Sequence, residues 1–170
     1  MKTMLQPSRV LFAAAMIALG ITGLVNGDFA LVWQYVPAHV PGRTILAYVC
    51  AVIELAFGIG LLWQRALMWT CRLLLPYMVL WLVLLEIPMT IHSLQHAGNW
   101  GSIDEIAIIT AGAWCLFATH AGTRPFGFAT GSSGIRGARW LLVVTLPMIG
   151  VDVIVDALKY GDKVMLPWLR

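Results

Sequence analysis

Five long apolar runs fill most of this chain, and they leave little choice of fold. They cover about residues 9–25, 43–63, 66–91, 103–119 and 139–158, with short polar breaks between them. A helix that crosses a bilayer needs roughly 20 mostly apolar residues. In lipid, helices and closed barrels are the structures that satisfy their own backbone groups. The composition agrees, because 60% of the residues are hydrophobic and 11% charged, whereas a soluble domain has about 25% charged residues. The expected fold is therefore all-α, a single membrane domain over residues 1–170. It is read as a transmembrane bundle with a four-helix core and a fifth, C-terminal span.

Details along the chain refine this reading. Lys2 and Arg9 precede the first run, but no small-x-small cleavage pattern follows it, so a retained helix is expected rather than a signal peptide. Asn26-Gly27-Asp28 breaks that helix. The aromatic segment Phe29–Pro41 is too short to span and carries Pro37 and Pro41, so it is expected to lie in or dip into the interface. Gln64-Arg65 makes a tight turn between the second and third spans. Pro76 and Pro88 predict bends in the third span and Pro147 lies inside the fifth. Ser102 is placed to cap the fourth span, with Asp104 and Glu105 in its first turn. The Gly- and Ser-rich stretch 120–138 reads as the longest loop.

Lys and Arg near the span ends set orientation. Lys2, Arg9, Arg65, Arg72, Arg124, Arg136 and Arg139 fall on one side, and Arg43, Lys159, Lys163 and Arg170 on the other. The richer side is read as cytoplasmic. This puts the N-terminus inside and the C-terminus outside a bacterial-type inner membrane, with the lipid bilayer as the first partner. No basic run is dense enough to suggest nucleic acid. Cys50, Cys71 and Cys115 each lie in apolar sequence without a CxxC pair, so they read as small core residues.

Carboxylates inside the spans are the informative polar residues, since a charge at the centre of a spanning helix costs about 2.5–3.5 kcal/mol on insertion scales. Glu54, Glu86 and Asp152 are the candidate chemical groups of an outer-half acidic pocket. Asp28, Arg43, His92 and Asp156 are candidate pocket residues, Asp156 sharing a helix face with Asp152. Against this stands a simpler account in which Glu54 pairs with Arg72, at similar depth, and fixes helix register. Glu86, ahead of Pro88, could serve backbone groups freed by a bend. His92 and His96 are spaced for a metal on a helix but fall in a loop, so no metal is expected. Small residues such as Ala14, Ala18, Gly58 and Gly60 suit close helix packing.

The run Val52-Ile53-Glu54-Leu55-Ala56-Phe57-Gly58-Ile59-Gly60-Leu61-Leu62 resembles the E-L-x-x-G-x-x-L-L signature of DoxX-like membrane proteins. The context from residue 5 to 120 is similar: an arginine-led first helix, a short aromatic and proline-bearing segment, a tight turn at Arg65, and an Asp104-Glu105 start to an Ala/Gly-rich helix. The resemblance implies a four-helix membrane bundle and, for some members, quinone-linked respiratory redox chemistry. Of the candidate acids it carries over Glu54 alone, and the fifth span departs from its pattern. The leading expectation is thus a small membrane subunit or accessory protein of a quinone-linked redox system. It would have no intrinsic cofactor, a quinone as ligand, and a membrane or soluble redox partner. Proton- or cation-coupled transport, or a structural or assembly role without substrate, are the alternatives. Oligomer formation is left open.

Overall fold

The computed structural model describes residues 6–29, 34, 36–37, 40–86, 88, 100–122 and 127–164, and the described residues form helices with no strand. Helix α1 is Pro7–Asn26, α2 Arg43–Leu62 and α3 Leu67–Trp81, which continues through a π turn, Leu82–Glu86. Helix α4 is Trp100–His120 and α5 Gly131–Val164. Four of them are long and apolar enough to cross a membrane: α1, α2, α3 with its π turn as far as Leu84, and Gly131–Val151 of α5. Their outward faces carry exposed Val52, Ile59, Leu73, Val143, Val144 and Leu146. Apolar surface this extensive is unusual on a water-soluble monomer. The chain is a multi-pass membrane protein.

Helix ends follow local chemistry. Pro7 opens α1, where its missing N–H costs nothing. Gly27 closes it with a left-handed φ of 64°, returning its N–H to the Gly23 carbonyl. The α2–α3 hairpin turns within Trp63–Ala66, and the Ala66 and Leu67 amides both donate to the Trp63 carbonyl at 3.0 Å. Helix α3 runs through Pro76. The π turn lies just ahead of Pro88, in the turn whose carbonyls a proline cannot serve and whose i−4 carbonyl its ring would strike.

Packing begins with glycine. A Cβ on Gly20 would meet the Ala51 carbonyl oxygen at 2.7 Å, and one on Gly58 would meet the Ala13 carbonyl oxygen at 2.9 Å. Helices α1 and α2 therefore run antiparallel with their backbones nearly in contact, the usual route to tight association in lipid. The main core joins Ala13 and Met16 of α1, Leu61 of α2, Cys71, Leu74 and Met78 of α3, and Ile106, Ala113 and Phe117 of α4. A smaller core holds Phe29, Val36, Ala47 and Cys50, with Trp81 against it.

Three expectations need correction. Helix α4 is already helical at Trp100, so Ser102 lies inside it and cannot cap it, and Asp104 and Glu105 fall beyond the first turn. The expected loop 120–138 ends at residue 130, because Gly131–Ala138 is the start of α5. Its small residues are a packing surface: a Cβ on Gly137 would come within 2.6 Å of the Trp114 indole. Arg9, read as an interfacial charge, is buried with 3% of its surface exposed. The end of the third expected span, beyond residue 88, lies outside the described residues.

Candidate functional site

Glu54 lies on the buried face of α2 with Ala47, Cys50, Gly58 and Leu61. It is 1% exposed. Its polar neighbours come from two other segments. Tyr77, next to Pro76 on α3, donates its hydroxyl to Glu54 Oε1 at 3.5 Å, a long bond. Gln34, from the segment between α1 and α2, donates from Nε2 to the Tyr77 hydroxyl at 3.1 Å and also lies within hydrogen-bonding reach of the Glu54 carboxyl. Gln34 is itself 1% exposed. Phe29, Gln34 and Val36, the described residues of this stretch nearest the site, are all buried.

Aromatic rings surround this cluster. Phe57 and Trp81 each meet Tyr77 edge-on, with centroids 5.3 and 6.2 Å away, and Phe29 meets Trp81 at 5.8 Å. Above them Asp28 and Arg43, both expected pocket residues, form an ion pair at 2.6 Å. Arg43 also donates from Nε to the Val36 carbonyl at 3.2 Å and lies over the Phe29 ring. The pair ties the end of α1 to the start of α2, and Arg43 also fixes the Val36 carbonyl.

The expected Glu54–Arg72 ion pair does not form. Arg72 points away from α2, donating from Nε to the Ala121 carbonyl at 2.9 Å and lying over the Trp69 ring. Among the described residues the ion pair is Arg43–Asp28, so Glu54 has neutral hydrogen-bond partners and no cation. Glu86 lies in the π turn, and Asp152 and Asp156 in the helical backbone of α5. The side chains of these acids, and His92 entirely, lie outside the described residues. No group of three or more His, Cys, Asp or Glu that could hold a metal occurs among the described residues. Cys50, Cys71 and Cys115 are free thiols.

A separate cavity of about 640 Å³ opens on another face of α3, between it, α4 and the start of α5. Arg72, Leu75, Val79, Thr110 and Trp114 are among its lining residues. Glu54, Tyr77 and Gln34 are not.

Sequence reasoning singled out Glu54, Asp28 and Arg43 and missed Tyr77, Gln34 and Trp81. Tyr77 carried a usable signal, as a hydroxyl in mid-span that needs a partner when buried. Gln34 carried one too, as an amide in an otherwise apolar and aromatic segment. Comparison with known proteins brings no match: no family model, curated protein or solved structure corresponds to the chain.

Proposed function

We propose that this protein is a small membrane subunit or accessory protein of a quinone-linked redox system, with Glu54 as its proton-exchanging group. One observation carries the reading: a mid-span carboxyl, 1% exposed and, among the described residues, without a cation, is joined to Tyr77 and Gln34 inside a wall of aromatic rings. A chain retains a carboxyl in hydrocarbon when it is paired, faces a wet cavity, or does work. Aromatic faces and a phenol hydroxyl suit a quinone ring, with Gln34 and the Asp28–Arg43 pair as the cover over it. A quinone would supply two-electron chemistry coupled to two protons, and the electrons would come from a partner protein. Glu54 and Tyr77 would pass the protons. The DoxX-like run around Glu54 supports the same direction.

The setting we propose is a bacterial-type inner membrane with the N-terminus in the cytoplasm, supported by the excess of arginines at the α2–α3 turn end. Helix α4 would be a fifth crossing. Its 21 residues and its packing against both α3 and α5 support this.

A second reading has a specific observation behind it. Glu54 is satisfied by protein groups, and the large cavity lies elsewhere. Glu54, Tyr77 and Gln34 would then be a latch holding the α1–α2 segment, in a scaffold or assembly subunit. The test is to purify the full chain from its native membrane, extract it with solvent and look for quinone. Infrared difference spectra on quinone reduction are then recorded with and without Glu54→Gln. Bound quinone with a carboxyl band that vanishes in the variant supports the redox reading. No quinone, and a variant altered in stability alone, leaves the latch.

A further inference from the structure

The cavity beside α3 has a chemistry of its own, independent of the reading of Glu54. Its walls are almost wholly apolar, and Arg72 stands at one end. From Arg72 to Leu82, both lining residues, α3 rises about 15 Å, or roughly half the hydrocarbon core. One acyl chain in one leaflet has that reach.

Arg72 is held in place rather than left to wander. The Ala121 carbonyl takes its Nε–H, and its guanidinium carbon lies over the Trp69 ring, 5.2 Å from the centroid. Among the described residues, neither Nη has a hydrogen-bond or ion-pair partner. Charge at this end of the bundle is one-sided. Arg65, Arg136 and Arg139 belong to the same end, where α2 turns into α3 and α5 begins. Every acid in the described helices lies at mid-span or toward the opposite end. A fixed fork of donors over an apolar slot, in a field with no nearby carboxylate, suits a bidentate phosphate oxygen pair above a hydrocarbon tail.

We infer that the cleft between α3, α4 and the start of α5 is a binding site for an acidic phospholipid of the surrounding leaflet, with the phosphate on Arg72 and one acyl chain along Leu75, Val79 and Trp114. The full chain is delipidated and reconstituted into nanodiscs of phosphatidylcholine, with or without phosphatidylglycerol. After extraction into mild detergent, retained lipid is counted by native mass spectrometry. The expected result is selective retention of phosphatidylglycerol, lowered about fivefold by Arg72→Gln and less by Arg72→Lys. Val79→Phe leaves Arg72 intact but fills the slot, and lowers retention as well. Arg139→Gln, outside the cleft, leaves it unchanged. If Arg72→Gln does not fold, Val79→Phe and Arg72→Lys carry the test. Equal retention of phosphatidylcholine, or retention untouched by Val79→Phe, would overturn the proposal.

Discussion

Tyr77 of α3 reaches Glu54 of α2 with its hydroxyl, 3.5 Å from Oε1, while the same hydroxyl takes a 3.1 Å bond from Gln34. The phenol is thus the middle of a chain that joins α2, α3 and the α1–α2 segment. Removing it strands buried polar groups on both sides. Tyr77→Phe keeps the ring contacts with Phe57 and Trp81, so the loss isolates the hydroxyl. We expect a destabilisation of about 1–3 kcal/mol, read as a lower melting temperature in detergent. Glu54→Leu in the same background should give back part of that loss, because the acceptor goes too. Additive losses would mean that the two residues do not interact.

The Asp28–Arg43 pair is partly solvent-exposed, at 24% for Arg43 and 38% for Asp28. An exposed pair of this kind contributes about 0–1 kcal/mol. Arg43 does more than pair, since it also holds the Val36 carbonyl and covers Phe29. Arg43→Gln should therefore loosen the α1–α2 segment more than Asp28→Asn does. Labelling of a cysteine introduced at Val36, which keeps the backbone carbonyl that Arg43 holds, with a water-soluble maleimide reports the difference: labelling rises in both variants, and more in Arg43→Gln. Equal rates in the two would remove Arg43 from this role.

Gly58 tests whether the α1–α2 contact limits stability. In an exposed helix interior, Gly→Ala gains about 1 kcal/mol. Here the new methyl would meet the Ala13 carbonyl oxygen and the Ile17 amide, both at 2.9 Å. Overpacking of this kind costs about 1–3 kcal/mol, so the sign should reverse. Gly42 is the control. Its φ is 71° and nothing lies within 4 Å of the added Cβ, so Gly42→Ala should cost only about 1–2 kcal/mol of backbone strain. A rise in melting temperature for Gly58→Ala would show that the helices can part without penalty.

What the sequence made legible was set by the period and length of its apolar runs. These located α1 and α2 to within a residue or two, since lipid tolerates no other backbone solution for them. The start of α5 was hidden because Ser132, Ser133, Gly134 and Gly137 are loop-formers in water. In a bundle Gly134 and Gly137 are instead a docking surface, here for Ala118 and Trp114. Glu54 was visible as an acid in a span, yet its partners were not. Arg72 matched it in depth along the membrane but faces another side of α3, toward Ala121. Depth follows from residue counting, whereas azimuth depends on which helices pack together. Gln34 lies outside the helices, where no periodicity encodes its position.

Arg9 makes the same point with the opposite sign. Its place ahead of an apolar run marks it as an interfacial anchor, yet it is buried, and among the described residues its Nε and Nη2 have no hydrogen-bond partner. Two buried guanidinium nitrogens without partners are a cost, and well-packed apolar replacements of buried charged groups are often neutral or stabilising by about 1–4 kcal/mol. Met has a similar length and a flexible thioether that adapts to apolar surroundings. Arg9→Met should therefore keep or raise the melting temperature in detergent, while Arg9→Ala, which leaves a cavity, should lower it. A fall of several degrees in Arg9→Met would show that the guanidinium is held by groups worth more than its burial costs. The positive-inside count also loses one charge in the variant, so cysteine-accessibility mapping of the N-terminus should accompany the melt. An unchanged orientation is expected, since Arg65, Arg136 and Arg139 remain at the same end.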